Sequence, residues 1–413
     1  MKSILYFAIG VSFFGAQVFT INLGFFQLSL YRIAVLALLF LYVVNSARME
    51  KGHYKLDEHA PNRYSVYMMV TWLIYAVLNI FWMRDLGNYA RNLYFLGSGI
   101  FGVVMCSKLL RTRQDIRKAL NIVNLGILLQ GLIGWYEVIF RTYRFISQQN
   151  IDYYSAVTDR IPIAMQGNPN DFATLMLVGF FIAIICRTLT ERKYRVFYTL
   201  CMVNCAVLLI LTQSRANIIG FILGLGVLIV LSKKVRWLLP LGLVSLVYFV
   251  PDITQSMREL LHFNFTSGYG SDVVRLNLIK NGFIFLTQTF GLGVGAGQIE
   301  SWMATQAMYY TKGIVNMHNW WMEILTAYGI GIFMGYLIFY GKYIRDMWRR
   351  MHQGINKDYR MAVAMIAVFA GFAIGAVSSS SNITAEWLWM FFGVAIAYQG
   401  LPVKIQRNEG GNA

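Results

Sequence analysis

The stretch MHNWWMEILTAYGIGIFMGYLIFYG, residues 317–341, is apolar and small throughout except near its start, where an imidazole, two indoles and a carboxylate cluster. A hydrocarbon core of about 30 Å needs roughly 20 such residues in helical form, so the run predicts a membrane-spanning helix. The segment that follows, KYIRDMWRRMHQGINKDYR at 342–360, carries six Lys or Arg. Basic residues in short loops mark the cytoplasmic side. The helix is therefore expected to turn its titratable mouth away from the cytoplasm.

The same pattern repeats outward from this stretch. Of 413 residues, 57% are hydrophobic and 13% are charged, where a soluble domain has about a quarter charged. The expected fold is all-α, a single polytopic membrane helical bundle with about 12 transmembrane helices. Spans are predicted near 4–20, 24–44, 64–83, 93–107, 119–140, 169–186, 196–212, 217–231, 237–250, 317–341, 361–380 and 384–400. Helices 9 and 10 flank a larger extracytoplasmic loop, 251–316, in which an amphipathic helix is expected. The links 45–63, 108–118, 187–195, 232–236 and 342–360 hold most of the 36 Lys and Arg, which places both termini in the cytoplasm. The first segment follows Lys2 as a signal peptide would, but without a small-residue cleavage site it reads as a retained helix.

Composition also excludes whole classes of function. On a soluble surface a net charge of +17 would suggest nucleic acid, but here it is a topology signal, and no nucleic-acid partner is expected. Cys106, Cys186, Cys201 and Cys205 fall in or beside apolar runs and read as small buried hydrophobes, so no metal or other cofactor is expected. GLGVGAG at 291–297 lacks both the spacing and the βαβ context of a dinucleotide loop, and no Walker A sequence occurs. The six prolines avoid the middles of the predicted helices, which counts against the broken-helix architecture of many transporters.

The candidate chemistry lies on the extracytoplasmic side. Arg215, in the tight turn TQSRAN, is either an interfacial anchor or a guanidinium fork for phosphate oxygens. Arg275, in SDVVRLNLIKNGFIFLTQTF, is either the local partner of Asp272 or an anion ligand near a helix start, and Lys280 is a weaker candidate of the same kind. Val274, Leu278 and Phe285 mark the apolar face of that helix. His318 is a structural residue or a proton acceptor near neutral pH. Asn319 and Glu323 share a helix face, so the carboxylate is expected to orient Asn319 or an arginine rather than His318. Trp320 and Trp321 belong to an aromatic belt or offer stacking surfaces for sugars.

Taken together, GNPND at 167–171, Ser214-Arg215-Ala216, Arg275 ahead of GLGVG, and HNWWMEILTAYGIG at 318–331 resemble the O-antigen ligase and O-antigen polymerase superfamily in order, spacing and expected sidedness. The likeness covers about residues 160–340, with Ala216 and Trp321 standing where the family commonly has glycine and leucine. It implies metal-independent transfer of a glycan from a polyprenyl-pyrophosphate donor to a hydroxyl at the outer face of the bacterial cytoplasmic (inner) membrane. Carried onto this chain, the catalytic residues would be His318, Arg215 and Arg275, and substrate would be bound by Asn168, Asn170, Lys280, Asn319, Trp320 and Glu323. The expected function is polymerisation of lipid-linked repeat units for a capsule, exopolysaccharide, O-antigen or teichuronic-type polymer. The implied partners are the polyprenyl-pyrophosphate-linked glycan, membrane lipid, a chain-length regulator and a flippase. Two alternatives stay open: a ligase moving finished glycan to an acceptor, and a lipid-linked oligosaccharide transporter or flippase. The latter would use charges within the spans, of which Arg32 is the clearest, with Glu386 near an outer end.

Overall fold

A computed structural model describes residues 1–15, 18–22, 27–48, 60–146, 161–232, 271–379 and 381–403. The helices in chain order are α1 (Lys2–Val11), α2 (Leu30–Arg48), α3 (Arg63–Leu78), α4 (Leu86–Leu109), α5 (Arg113–Phe140), α6 (Pro169–Leu189), α7 (Arg195–Leu211), α8 (Arg215–Leu231), α9 (Ser271–Gln288), α10 (Ile299–Gln306), α11 (Trp320–Gln353), α12 (Lys357–Gly375) and α13 (Glu386–Gly400). Eight candidate membrane spans occur among the described residues, against about 12 expected. α1 and α8 are apolar but shorter, and the span expected at 237–250 lies outside the described residues. The chain is an all-helical, multi-pass membrane bundle.

α6, α12 and α13 form its centre, with Leu175, Met176, Leu177, Ala364, Met365, Val394 and Ala395 fully buried. At the periphery α2 and α7 expose Leu36, Phe40, Val43, Val196, Leu200 and Ile210, apolar surface suited to lipid. Lipid tails provide no hydrophobic drive between helices, so small residues that allow close approach decide the pairing. α8 and α12 each carry a G-x-x-x-G pair, Gly220/Gly224 and Gly371/Gly375. A Cβ on Gly371 would lie 2.8 Å from the Gly220 oxygen, and one on Gly224 would lie 2.9 Å from the Ala367 oxygen.

Several boundaries differ from expectation for identifiable reasons. α1 stops at Val11, and beside the expected bend Ile21–Asn22 pairs antiparallel with Gln27–Leu28, while Gly24 lies outside the described residues. α5 starts inside the basic cluster, because Thr112 and Asp115 form a capping box in which the Thr112 hydroxyl accepts from the Asp115 N–H at 3.1 Å. α11 runs through the expected link as far as Gln353, because Lys, Arg and Met are good helix formers and Tyr343, Met347 and Arg350 remain buried.

The expectation of unbroken helices is corrected at α11. Gly329 has φ 75° and ψ −179°, which breaks the helix without a proline. The glycine-rich segment after α9 fills the break: Val294 and Gly295 donate to the carbonyls of Thr326 and Ala327, each at 2.9 Å, and Ile330 donates to the Gly291 carbonyl at 2.9 Å. Irregular backbone at membrane depth is tolerated where protein satisfies its polar groups, and here the loop does so. α3 and the turn that follows it clamp the loop in turn. Tyr75 and Trp82 donate to the carbonyls of Leu292 and Gly293, and Asn79 accepts from the Ala296 N–H at 2.8 Å.

Candidate active site

The start of α6 is built from GNPND. Asn168 caps the helix by accepting from the Asp171 N–H at 2.9 Å, and Pro169 occupies the first turn, where its missing N–H costs nothing. Asn170 then reaches sideways. Its side-chain oxygen accepts from the Ser214 hydroxyl at 2.8 Å, and its carbonyl accepts from the Thr174 hydroxyl at 3.0 Å. Asn217 lies within hydrogen-bond reach of Thr174 and Ser378, and Thr174 lies 3.0 Å from Ser379. This buried cluster ties the first turns of α6 and α8 to the serine-rich bend between α12 and α13. Ser214 spends its hydroxyl on Asn170 rather than on capping α8, and Arg215 stands exposed as the first residue of that helix.

The start of α11 is held from two sides. Asn319 caps it, accepting from the N–H groups of Trp321 and Met322 at 3.1 and 3.2 Å. The Trp320 N–H donates to the Ala376 carbonyl, and the Trp321 indole donates to the Ala373 carbonyl at 2.9 Å, so the α12 terminus is latched to α11. His318, just before the cap, adopts φ 48°, a left-handed conformation that is uncommon among non-glycine residues. α9 lies against this end, with Val274, Leu278 and Phe285 buried, and a Cβ on Gly282 would lie 2.7 Å from both the Met317 methyl and the Thr326 hydroxyl.

That docking puts the Arg275 charge within electrostatic reach of His318. Burial, and then the Arg275 charge, push the imidazole below its ordinary 6.5, so the ring is neutral at neutral pH and open to a proton. The Asp272 side chain, the local partner considered for Arg275, lies outside the described residues.

Other expected site residues are placed differently. Among the described residues the partners of Glu323 are neither Asn319 nor an arginine: its carboxylate accepts from the Ser381 hydroxyl at 2.6 Å and from the Asn382 N–H. It also lines a cavity of about 220 Å³ with Asn88, Asn92, Asn316, Glu300 and Ser381. Trp320 is no sugar platform and no interfacial belt. It is 1% exposed, its indole donates to the Tyr336 hydroxyl at 3.0 Å, and it packs against Trp72 and Trp389. Lys280 lies with its ammonium 5.0 Å from the Tyr309 ring centre. Arg32 is not deep in a span: it occupies the first turn of α2, beside the rings of Tyr94 and Phe95 and 3.9 Å from Glu386, so the two charges read as a buried pair rather than a route through the membrane.

Sequence reasoning missed the polar glue: Thr174, Ser214, Asn217, Ser378, Ser379 and Ser381. The signal available was the run SSSSN at 378–382 between two apolar spans, polar groups dense enough to need partners.

Residues 197–340 match a family model described as O-antigen ligase. This segment holds Arg215, Arg275 and His318; the Asn168 turn precedes it. The chain is also 27% identical over 410 residues to the "Teichuronic acid biosynthesis protein TuaE" of Bacillus subtilis (strain 168), covering 96% of this chain and 83% of the relative. The helical membrane bundle, the motifs and these two matches support kinship of the chain with O-antigen ligase/polymerase-type membrane proteins.

Proposed function

We propose that the protein is a polysaccharide polymerase that joins polyprenyl-pyrophosphate-linked repeat units at the outer face of the bacterial cytoplasmic membrane. The observation that carries this reading is a neutral, half-buried imidazole at the mouth of α11 that feels the charge of a guanidinium from α9. In the reaction the acceptor sugar hydroxyl attacks the anomeric carbon of the donor. Its oxygen–carbon bond forms as the bond to pyrophosphate breaks. His318 takes the hydroxyl proton. The lipid pyrophosphate leaves with the bonding electrons, and Arg215 and Arg275 stabilise its growing charge without a metal. A cationic neighbour favours the neutral, base-competent form of His318 and at the same time attracts the leaving group. The cavity lined by Asn88, Asn92, Asn316 and Glu323 offers hydrogen-bonding groups to acceptor hydroxyls. Repeat-unit polymerisation is further supported by the relative named for teichuronic acid biosynthesis.

The test is transfer by the purified protein with a defined lipid-linked repeat unit. The wild-type chain yields polymer, whereas His318→Ala, present at normal level in the membrane, leaves single repeat units on the lipid. Polymer of normal length from that variant refutes the assignment of His318. Transfer of one finished glycan to a separate acceptor, with no chain growth, refutes polymerase in favour of ligase.

A further inference from the structure

A cavity of the described residues lies at the end of the bundle opposite the candidate active site, and the reaction just described leaves it unused. It encloses about 700 Å³, a volume typical of ligand sites, between the C-terminal ends of α4, α11 and α13. Lys108, Arg111, Arg349 and Arg350 line it, and among the described residues Asp346 is the single carboxylate in the wall. That carboxylate is engaged, accepting from the Gln399 side chain at 2.7 Å.

Arg350 carries the argument. It is 3% exposed, and its guanidinium stacks 4.5 Å from the centre of the Tyr398 ring. One terminal nitrogen donates to the carbonyls of Gln399 and Leu401, while the other, Nη1, has no hydrogen-bond partner. Among the described residues no carboxylate lies at ion-pair distance from Arg350. Carbonyl groups satisfy donors but do not neutralise charge, and a buried cation is costly without a counter-ion. A planar guanidinium with a free donor beside further cations matches phosphate oxygens in both charge and geometry. The spans expected from the sequence at 93–107 and 384–400 end beside the cavity, so it is read as lying near the cytoplasmic membrane surface, and basic pockets between membrane helices there suit anionic headgroups.

We propose that this cavity is a second site, which binds a phosphate-bearing anion through Arg350, Arg349, Arg111 and Lys108. The anion is either a lipid headgroup or a soluble phosphate ester.

Full-length protein in a neutral detergent is incubated with phosphatidylglycerol or phosphatidylcholine, and retained lipid is counted by native mass spectrometry; glycerol 3-phosphate is titrated separately by calorimetry. The expected result is a preference for phosphatidylglycerol of about tenfold or more, as a charge-assisted contact would give. That preference is lost in Arg111→Gln/Arg349→Gln, whose side chains are exposed and whose fold should persist. It is kept in the charge-matched control Arg345→Gln/Lys357→Gln, whose residues lie outside the cavity wall. Binding of glycerol 3-phosphate with the same dependence on Arg111 and Arg349 would assign a soluble ester as the source and support the site equally. Equal retention of both lipids together with no binding of glycerol 3-phosphate, or equal losses in the two double variants, overturns the proposal.

Discussion

Gly329→Ala tests whether the break in α11 is a built joint. Its backbone, at φ 75° and ψ −179°, lies in a region essentially reserved for glycine, where another residue costs about 1–3 kcal/mol. A Cβ would also lie 2.5 Å from the Leu292 carbonyl carbon and closer still to the Gly291 oxygen, both of them backbone atoms. Relief requires the glycine-rich loop to withdraw. That sacrifices the bonds of Val294, Gly295 and Ile330 across the break, each worth about 1 kcal/mol net. The expected loss is therefore about 4–6 kcal/mol, read as a fall in thermal or denaturant midpoint of the detergent-solubilised protein. Gly331, two residues on and with open space around its Cα, is the control: its change to alanine should be neutral or stabilise by up to about 1 kcal/mol. Equal behaviour of the two variants would refute the reading of the break.

Other expectations concern the site itself. The imidazole of His318 is pushed below 6.5, so the base form should persist below that pH, and the acid limb of kcat/KM should lie lower than for a free histidine. In Arg275→Gln that limb should move upward, and an unmoved limb would separate Arg275 from His318. The same shift means that unfolded chains bind this proton more readily, so the stability His318 contributes above pH 6.5 is lost as pH falls from there through its lower folded value; a pH series of unfolding midpoints, compared with His318→Gln, reads this. Ser381→Ala should cost about 1–3 kcal/mol, because the Glu323 carboxyl loses a buried donor, and Glu323→Gln should mask the effect in a double-mutant cycle of unfolding midpoints. Arg215→Lys should lower polymer formation while leaving protein level unchanged, because a point charge lacks the bidentate fork; wild-type transfer rates would leave Arg215 as an anchor only.

Much of this arrangement was legible because membranes make sequence simple. Apolar runs of span length had to be helices, and Pro169 after Asn168 had to start one. The apolar spacing of Val274, Leu278 and Phe285 also predicted the buried face of α9. Less legible were features that depend on distant partners. Gly329 reads as an ordinary small residue in a span until the loop at 291–297 is placed against it, and Glu323 has no obvious mate until Ser381, 58 residues on, arrives at 2.6 Å. Trp320 was misread for the same reason: an indole at a helix mouth signals an interface locally, whereas here Trp72, Tyr336 and Trp389 enclose it. Span length also misled at α1 and α11, where an early stop and a capable helix former moved the ends.

The placement of His318 follows from three separate constraints. The Asn319 cap fixes the direction in which α11 begins, the latch to Ala373 and Ala376 fixes that end to α12, and α9 covers the remaining side with Arg275. α12 is in turn tied to α6 and α8 by the Thr174, Asn217 and Ser378 cluster and by contacts between glycines. The imidazole is thus referenced to the same helix ends that carry Asn170 and Arg215. Such a scaffold holds its groups before substrate arrives, so little free energy is lost to ordering them during reaction. Enlarging Gly371 or Gly220 should therefore lower the proposed transfer from a distance by moving α12, and transfer at the wild-type rate in the lipid-linked repeat-unit assay would refute this coupling.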